Sequence, residues 1–141
     1  MLYNKILVAF DGSAGSWHAL RKAILLAREQ GAELTALSVE EHLPRYAATV
    51  GEVQEEKEAE NHYFARLQAE AMAPARQQGV ELRTVIATGH AAESIVRYAR
   101  EHAFDLVVIS HIGHSGIWGA LLGSTTDRVV EHAHCDVLVV R

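Results

Sequence analysis

Hydrophobic and polar residues alternate along this chain between two periods. Short, nearly continuous apolar runs occur at Lys5–Phe10 (KILVAF), Glu33–Val39 (ELTALSV), Leu106–Ile109 (LVVI) and Asp136–Val140 (DVLVV), and Val80–Ala87 alternates. Such runs, bounded by glycine or polar residues, predict five strands, and the unbroken apolarity of Leu106–Ile109 predicts a strand buried on both faces of a parallel sheet. Between them the apolar positions follow the helical period. Trp17, Leu20, Ile24 and Ala27 place a helix over Ser16–Gln30, ended by Gly31. Glu52–Gln78 is alanine-rich and charged on one side, an amphipathic helix that Pro74 is expected to kink or end and Gly79 to close. Ile95, Val96 and Ala99 mark a helix over Ala91–Glu101, and a last helix runs from Ser124 to about His132. Glu40–Gly51, with Pro44, reads as an irregular segment.

The resulting order, β-α-β-α-β-α-β-α-β, has no repeat, linker or low-complexity tract. Right-handed crossovers then give an α/β fold: one open, five-stranded, parallel twisted sheet with helices on both faces. It is Rossmann-like, with expected strand order 3-2-1-4-5, and residues 1–141 form a single domain. Sheets of this kind bind ligands at the carboxyl ends of the strands, where strand order reverses. With strands one and four adjacent, Asp11 and the loop from Gly113 to Ser124 line one crevice.

Composition narrows the classes without choosing among them. The 141 residues suffice for a hydrophobic core, and 49% hydrophobic with 22% charged residues is ordinary for a globular protein. A net charge of −5 with neutral histidines gives no basic footprint for nucleic acid or an anionic membrane. The lone Cys135 excludes an internal disulfide framework and fits a reducing compartment. No apolar run approaches the roughly 20 residues of a membrane span, and the N-terminus lacks a signal peptide's apolar region. The expected location is the cytoplasm.

Candidate chemistry centres on Asp105–Ser124. A buried strand leads into a loop carrying Gly113, Gly116, Gly119 and Gly123, and the loop ends at a helix start, Gly123-Ser124-Thr125-Thr126-Asp127. The hydroxyl of Ser124 with a carboxylate three residues later reads as a helix N-cap. Glycines let backbone N–H groups approach an anion, and a helix N-terminus adds about half a positive charge. A phosphate-bearing ligand is the expectation. No Gly-Lys-Ser/Thr follows the glycines, so this is not a P-loop, and no Gly-x-Gly-x-x-Gly follows strand one. Strand three ends Ala87-Thr88, which disfavours a phosphorylated receiver domain.

Here the sequence resembles the universal stress proteins over essentially its whole length. The likeness rests on KILVAFDGS at the start, GHAAESIV, DLVVIS, and the closing GSTTDRVVEHAHCDVLVVR. The family's nucleotide-binding branch is similar in carrying Gly-x2-Gly-x9-Gly-(Ser/Thr). In this chain Gly113, nine residues and Gly123-Ser124 match its second half, and Ser110 replaces its first glycine. A positive φ at Ser110 would be strained, whereas a negative φ would keep the backbone path. The resemblance implies an adenine nucleotide, ATP or else AMP or ADP, with Mg2+ as a candidate companion. Ala9 and Asp11 would flank the nucleoside, Val39 would offer its backbone to adenine, and Ile109 and Ser110 would lie along the ribose. Gly113, Gly123, Ser124 and Thr125 would hold the phosphates. It also implies a homodimer through the last strand, Val137–Val140, whose uncovered apolar edge independently asks for a partner.

Competing readings remain at several positions. Asp11 is also placed to cap the first helix or brace the Gly12 turn. His132, His134 and Cys135 lie together, but no second cluster completes a zinc site; His132 instead suits the C-terminus of the last helix. His111 and His114 are candidates to reach a phosphate. No base is nominated for Ser124 as a nucleophile and no arginine finger is evident, so no catalytic residue is assigned and catalysis is at most slow ATP hydrolysis. The sequence thus reads as a cytoplasmic, ATP-binding stress-response sensor or adaptor whose 113–123 loop is ordered by phosphate. The alternatives are a nucleotide-free dimeric interaction module and a weak ATP hydrolase.

Overall fold

The computed structural model describes residues 2–41, 50–111 and 124–141, and within 50–57 only the side chain of Glu55. The elements are β1 Lys5–Ala9, α1 Ala14–Gln30, β2 Glu33–Glu40, α2 Val50–Gln77, β3 Leu82–Thr88, α3 Ala91–Glu101, β4 Leu106–Ser110, α4 Ser124–His132 and β5 Asp136–Val140. All four strand pairings are parallel, in the order β3-β2-β1-β4-β5. The expected α/β architecture and strand order are those observed.

The apolar runs are buried on both sides, as a parallel sheet requires. Ile6, Leu7 and Val8 are wholly inaccessible, and every residue of β4 is buried. One face packs Ile6, Val8 and Leu34 against Leu20 and Ile24 of α1 and Ala71 and Ala75 of α2. The other packs Leu7, Leu37 and Val107 against Ile95 of α3 and Val129 of α4. Each such aliphatic side chain contributes about 1.5–3 kcal/mol by leaving water. At the amino edge, the Asp105 carboxylate accepts from the backbone N–H groups of Asn4 and Lys5 at 2.8 and 3.0 Å.

Element boundaries move where backbone hydrogen bonds decide them. Helix α1 begins at Ala14, two residues before the expected Ser16, because Ser13 caps it: the Ser13 Oγ accepts from the Ser16 N–H at 3.2 Å. Gly31 ends α1 in the left-handed conformation, φ 64°. Pro74 does not end α2, which runs on to Gln77. The N–H that proline lacks would have met the carbonyl of Glu70, an exposed residue where water can serve. Strand β3 begins at Leu82 and not at Val80, whose N–H is spent on the Ala75 carbonyl (2.9 Å) in closing α2. The part of the expected irregular segment that spans 42–49 lies outside the described residues.

Candidate functional site

The carboxyl ends of β1, β2 and β4 open into a cleft of about 670 Å³, a volume suited to a small organic ligand. It lies where the order reverses between β1 and β4, the topological switch point of an open sheet. Of the nine sequence-predicted site residues, Ala9, Asp11, Val39, Ile109, Ser110, Ser124 and Thr125 line this cleft. Gly113 and Gly123 lie outside the described residues, as do His114 and the phosphate-ordered loop.

The cleft is lined by both apolar and polar residues. Ala9 ends β1, Ile109 precedes the last residue of β4, Leu37 and Val39 lie near the end of β2, and Ile95 rises from α3. Phe64 of α2 also contributes to the lining. The polar part of the lining includes the first turn of α4, with Ser124 and Thr125, Arg128 one turn further on, and the carboxylates of Asp11, Glu41 and Glu60.

Three helices begin near this edge, and their N-termini are treated differently. At α1 the Asp11 Oδ1 accepts from the Ser13 N–H at 2.9 Å, so Asp11 does brace the Gly12 turn while also lining the cleft. At α3 the N-cap residue His90 makes no side-chain cap. Glu41 serves instead, its Oε1 accepting from the Ala91 N–H at 2.9 Å. Both termini are therefore already met by a carboxylate, which satisfies orphan donors and offsets the positive end of the dipole. Helix α4 opens on hydroxyls. Its start is tied to the sheet by Thr126, whose Oγ1 donates to the buried carbonyl of Ser110 at 2.7 Å. Helix α4 is described from Ser124 onward, and the residues before it lie outside the described residues.

Ser110 resolves the one departure from the motif. It is the last residue of β4, 6% exposed, and Ala103 is the only non-glycine among the described residues with a positive φ. A side chain is therefore accommodated there without left-handed strain. His111 continues the strand pairing, its N–H donating to the Val140 carbonyl at 2.7 Å. Cys135 lies on the α3–α4 face, where burial, with Asp136 and Asp105 nearby, pushes its thiol above the usual range and disfavours thiolate chemistry.

Sequence reasoning missed Glu41, Glu60, Phe64, His90 and Arg128 as lining residues. Arg128 was within reach, since it follows Ser124 by four positions and shares its helix face. The others come from the residue after β2, from the β3–α3 junction and from α2, whose rotation relative to the cleft no local pattern specifies.

Comparison with known proteins agrees with this geometry. The chain matches the universal stress protein family model over residues 2–141. It is 34% identical to universal stress protein YxiE of Bacillus subtilis, over 99% of this chain and all of that one. Its fold is similar to that of universal stress protein UspA from Lactobacillus plantarum, with a TM-score of 0.93, 30% identity, and coverage of 100% of this chain and 99% of the other. It is also similar to a universal stress protein solved in complex with cAMP, with a TM-score of 0.78, 26% identity, and coverage of 100% and 99%. The chain belongs to the universal stress protein family.

Proposed function

We propose that this protein binds an adenine nucleotide, ATP first among them, in the cleft at the β1/β4 switch point. The base lies against Ala9, Val39 and Ile95, and the ribose runs along Ile109 and Ser110 with the Asp11 carboxylate beside it. The phosphates meet the start of α4 at Ser124 and Thr125, together with Gly113 and Gly123 of the family motif. The observation that carries this reading is the polarity of the cleft. The α1 and α3 termini already hold carboxylates, whereas α4 presents hydroxyls and the Arg128 guanidinium. An anion is favoured at a helix N-terminus and next to a guanidinium, so a ligand with an apolar ring and an anionic tail has one orientation. The relative crystallised with cAMP supports the ligand class.

The protein then acts as a cytoplasmic sensor or adaptor, with nucleotide occupancy as its signal. It works as a homodimer through β5, an edge strand whose Leu138 is 39% exposed. Calorimetric titration tests the site. Wild type binds ATP, AMP and adenosine, and Arg128→Glu weakens ATP by at least about tenfold, roughly 1.4 kcal/mol, while leaving adenosine unchanged. Arg128 is exposed, so the variant keeps the fold. A folded wild type that binds none of the three overturns the nucleotide reading in favour of a nucleotide-free dimeric module.

A further inference from the structure

The α1–α2 face of the sheet is an apolar layer, yet two neutral polar side chains lie inside it and meet. Ser38 of β2 is 1% exposed and Gln68 of α2 is 5% exposed. Burying an amide is unfavourable unless its hydrogen bonds are made, and an apolar pair of the same shape would pack as well. What the polar pair adds is direction. The Gln68 Nε2 donates both hydrogens, one to the Ser38 Oγ at 3.1 Å and one to the Val85 carbonyl of β3 at 2.7 Å. The Ser38 Oγ donates in turn to the Phe10 carbonyl at 2.7 Å. That carbonyl belongs to the peptide leading into Asp11, and the Phe10 N–H is held by Leu37 at 2.9 Å. Both sides of Phe10 are thus anchored where the chain leaves β1.

The same helix closes on the turn that follows. Gly12 has φ +85°, and a Cβ there would stand 2.5 Å from the Leu67 Cδ1 and 3.3 Å from the Tyr63 Oη. Four and eight residues before Gln68 on that helix face, Phe64 and Glu60 line the cleft. The rotation of α2 about its axis, the direction of Asp11 and the position of Phe64 are therefore set by one hydrogen-bonded chain.

We infer that Gln68, acting through Ser38, is a positioning residue of the nucleotide site. It holds Asp11 and Phe64 at the nucleoside end without touching the ligand. This inference rests on the nucleotide reading above only for its affinity arm. Gln68→Met keeps length and apolar packing but removes both donated bonds; Ser38→Ala removes the links of the Ser38 hydroxyl to Gln68 and to Phe10 and leaves the Gln68–Val85 bond. Each variant is expected to weaken adenosine and ATP by the same factor, about tenfold, unlike Arg128→Glu, which affects ATP alone. That equality places the effect at the nucleoside end and not at the phosphates, and the resonances of the folded, ligand-free protein separate positioning from a loss of folded fraction. In the ligand-free protein each variant also shifts the backbone amide resonances of Asp11–Ser13, and Gln68→Met shifts those of Phe64 as well. Binding within twofold of wild type in both variants, or unmoved Asp11–Ser13 resonances, overturns the inference. Should wild type bind no nucleotide, the nucleotide reading fails and the resonances of the ligand-free protein alone judge the positioning role. Ser38→Ala keeps the test open if Gln68→Met does not fold.

Discussion

Gly12 carries two requirements at once: a left-handed φ of +85° and a missing Cβ where Leu67 presses in. A non-glycine residue at positive φ costs about 1–2 kcal/mol, and the Leu67 methyl must also yield. Gly12→Ala is therefore expected to lower unfolding stability by about 2 kcal/mol, read as a lower urea midpoint with unchanged slope. Stability equal to wild type would mean that the turn relaxes freely. Ser110 is the opposite case. A motif that elsewhere has glycine tolerates serine here because the residue ends a strand and keeps a negative φ. Residue identity alone leaves that open, since φ belongs to the backbone path and not to the side chain.

Helix α4 is nine residues long and moderately amphipathic, too short to be stable alone in water. Its register over the cleft depends on docking. Val129 supplies the wholly buried apolar contact and Thr126 the directional one, through the Ser110 carbonyl. Thr126→Val preserves shape and removes the hydroxyl, leaving a buried carbonyl without that donor. A loss of about 1–3 kcal/mol is expected, measured by thermal or urea unfolding; a loss below 0.5 kcal/mol by the same measure would show that another donor replaces it. Among the helices, those whose ends carry a local signal were legible. The span of α3, Ala91–Glu101, and the Gly31 end of α1 follow from periodicity and glycine placement. The α1 start and the β3 start were not, because Ser13 capping and the Val80–Ala75 bond compete with the apolar pattern that suggested other limits.

Across the whole molecule the sheet ends in two edges, β3 and β5, and they differ in character. Leu82–Thr88 exposes Arg83 and Thr84, a polar edge of the kind that discourages pairing, whereas β5 exposes Leu138. Val130 of α4, 43% exposed, adds a second apolar residue on the other side of the sheet. For the dimer proposed through β5, Leu138→Lys is expected to convert wild-type dimers to monomers in light scattering coupled to gel filtration, with secondary structure unchanged. A monomeric wild type removes that dimer. No helix among the described residues is long and apolar enough to cross a membrane.

The order of elements, the buried character of β1 and β4 and the family were determined by the sequence itself, because apolar period and turn residues are local signals and the motif lies within one stretch. So was the gathering of seven of the nine candidate residues on one cleft, since strand ends and helix starts in a doubly wound sheet converge by topology. Which side chains complete that cleft was decided only in three dimensions. Glu41 capping α3, Phe64 and Glu60 on its α2 wall, and the Gln68–Ser38–Phe10 chain behind it join residues 28 to 50 positions apart. No local pattern encodes such pairings, because they depend on how far each helix turns as it packs on the sheet.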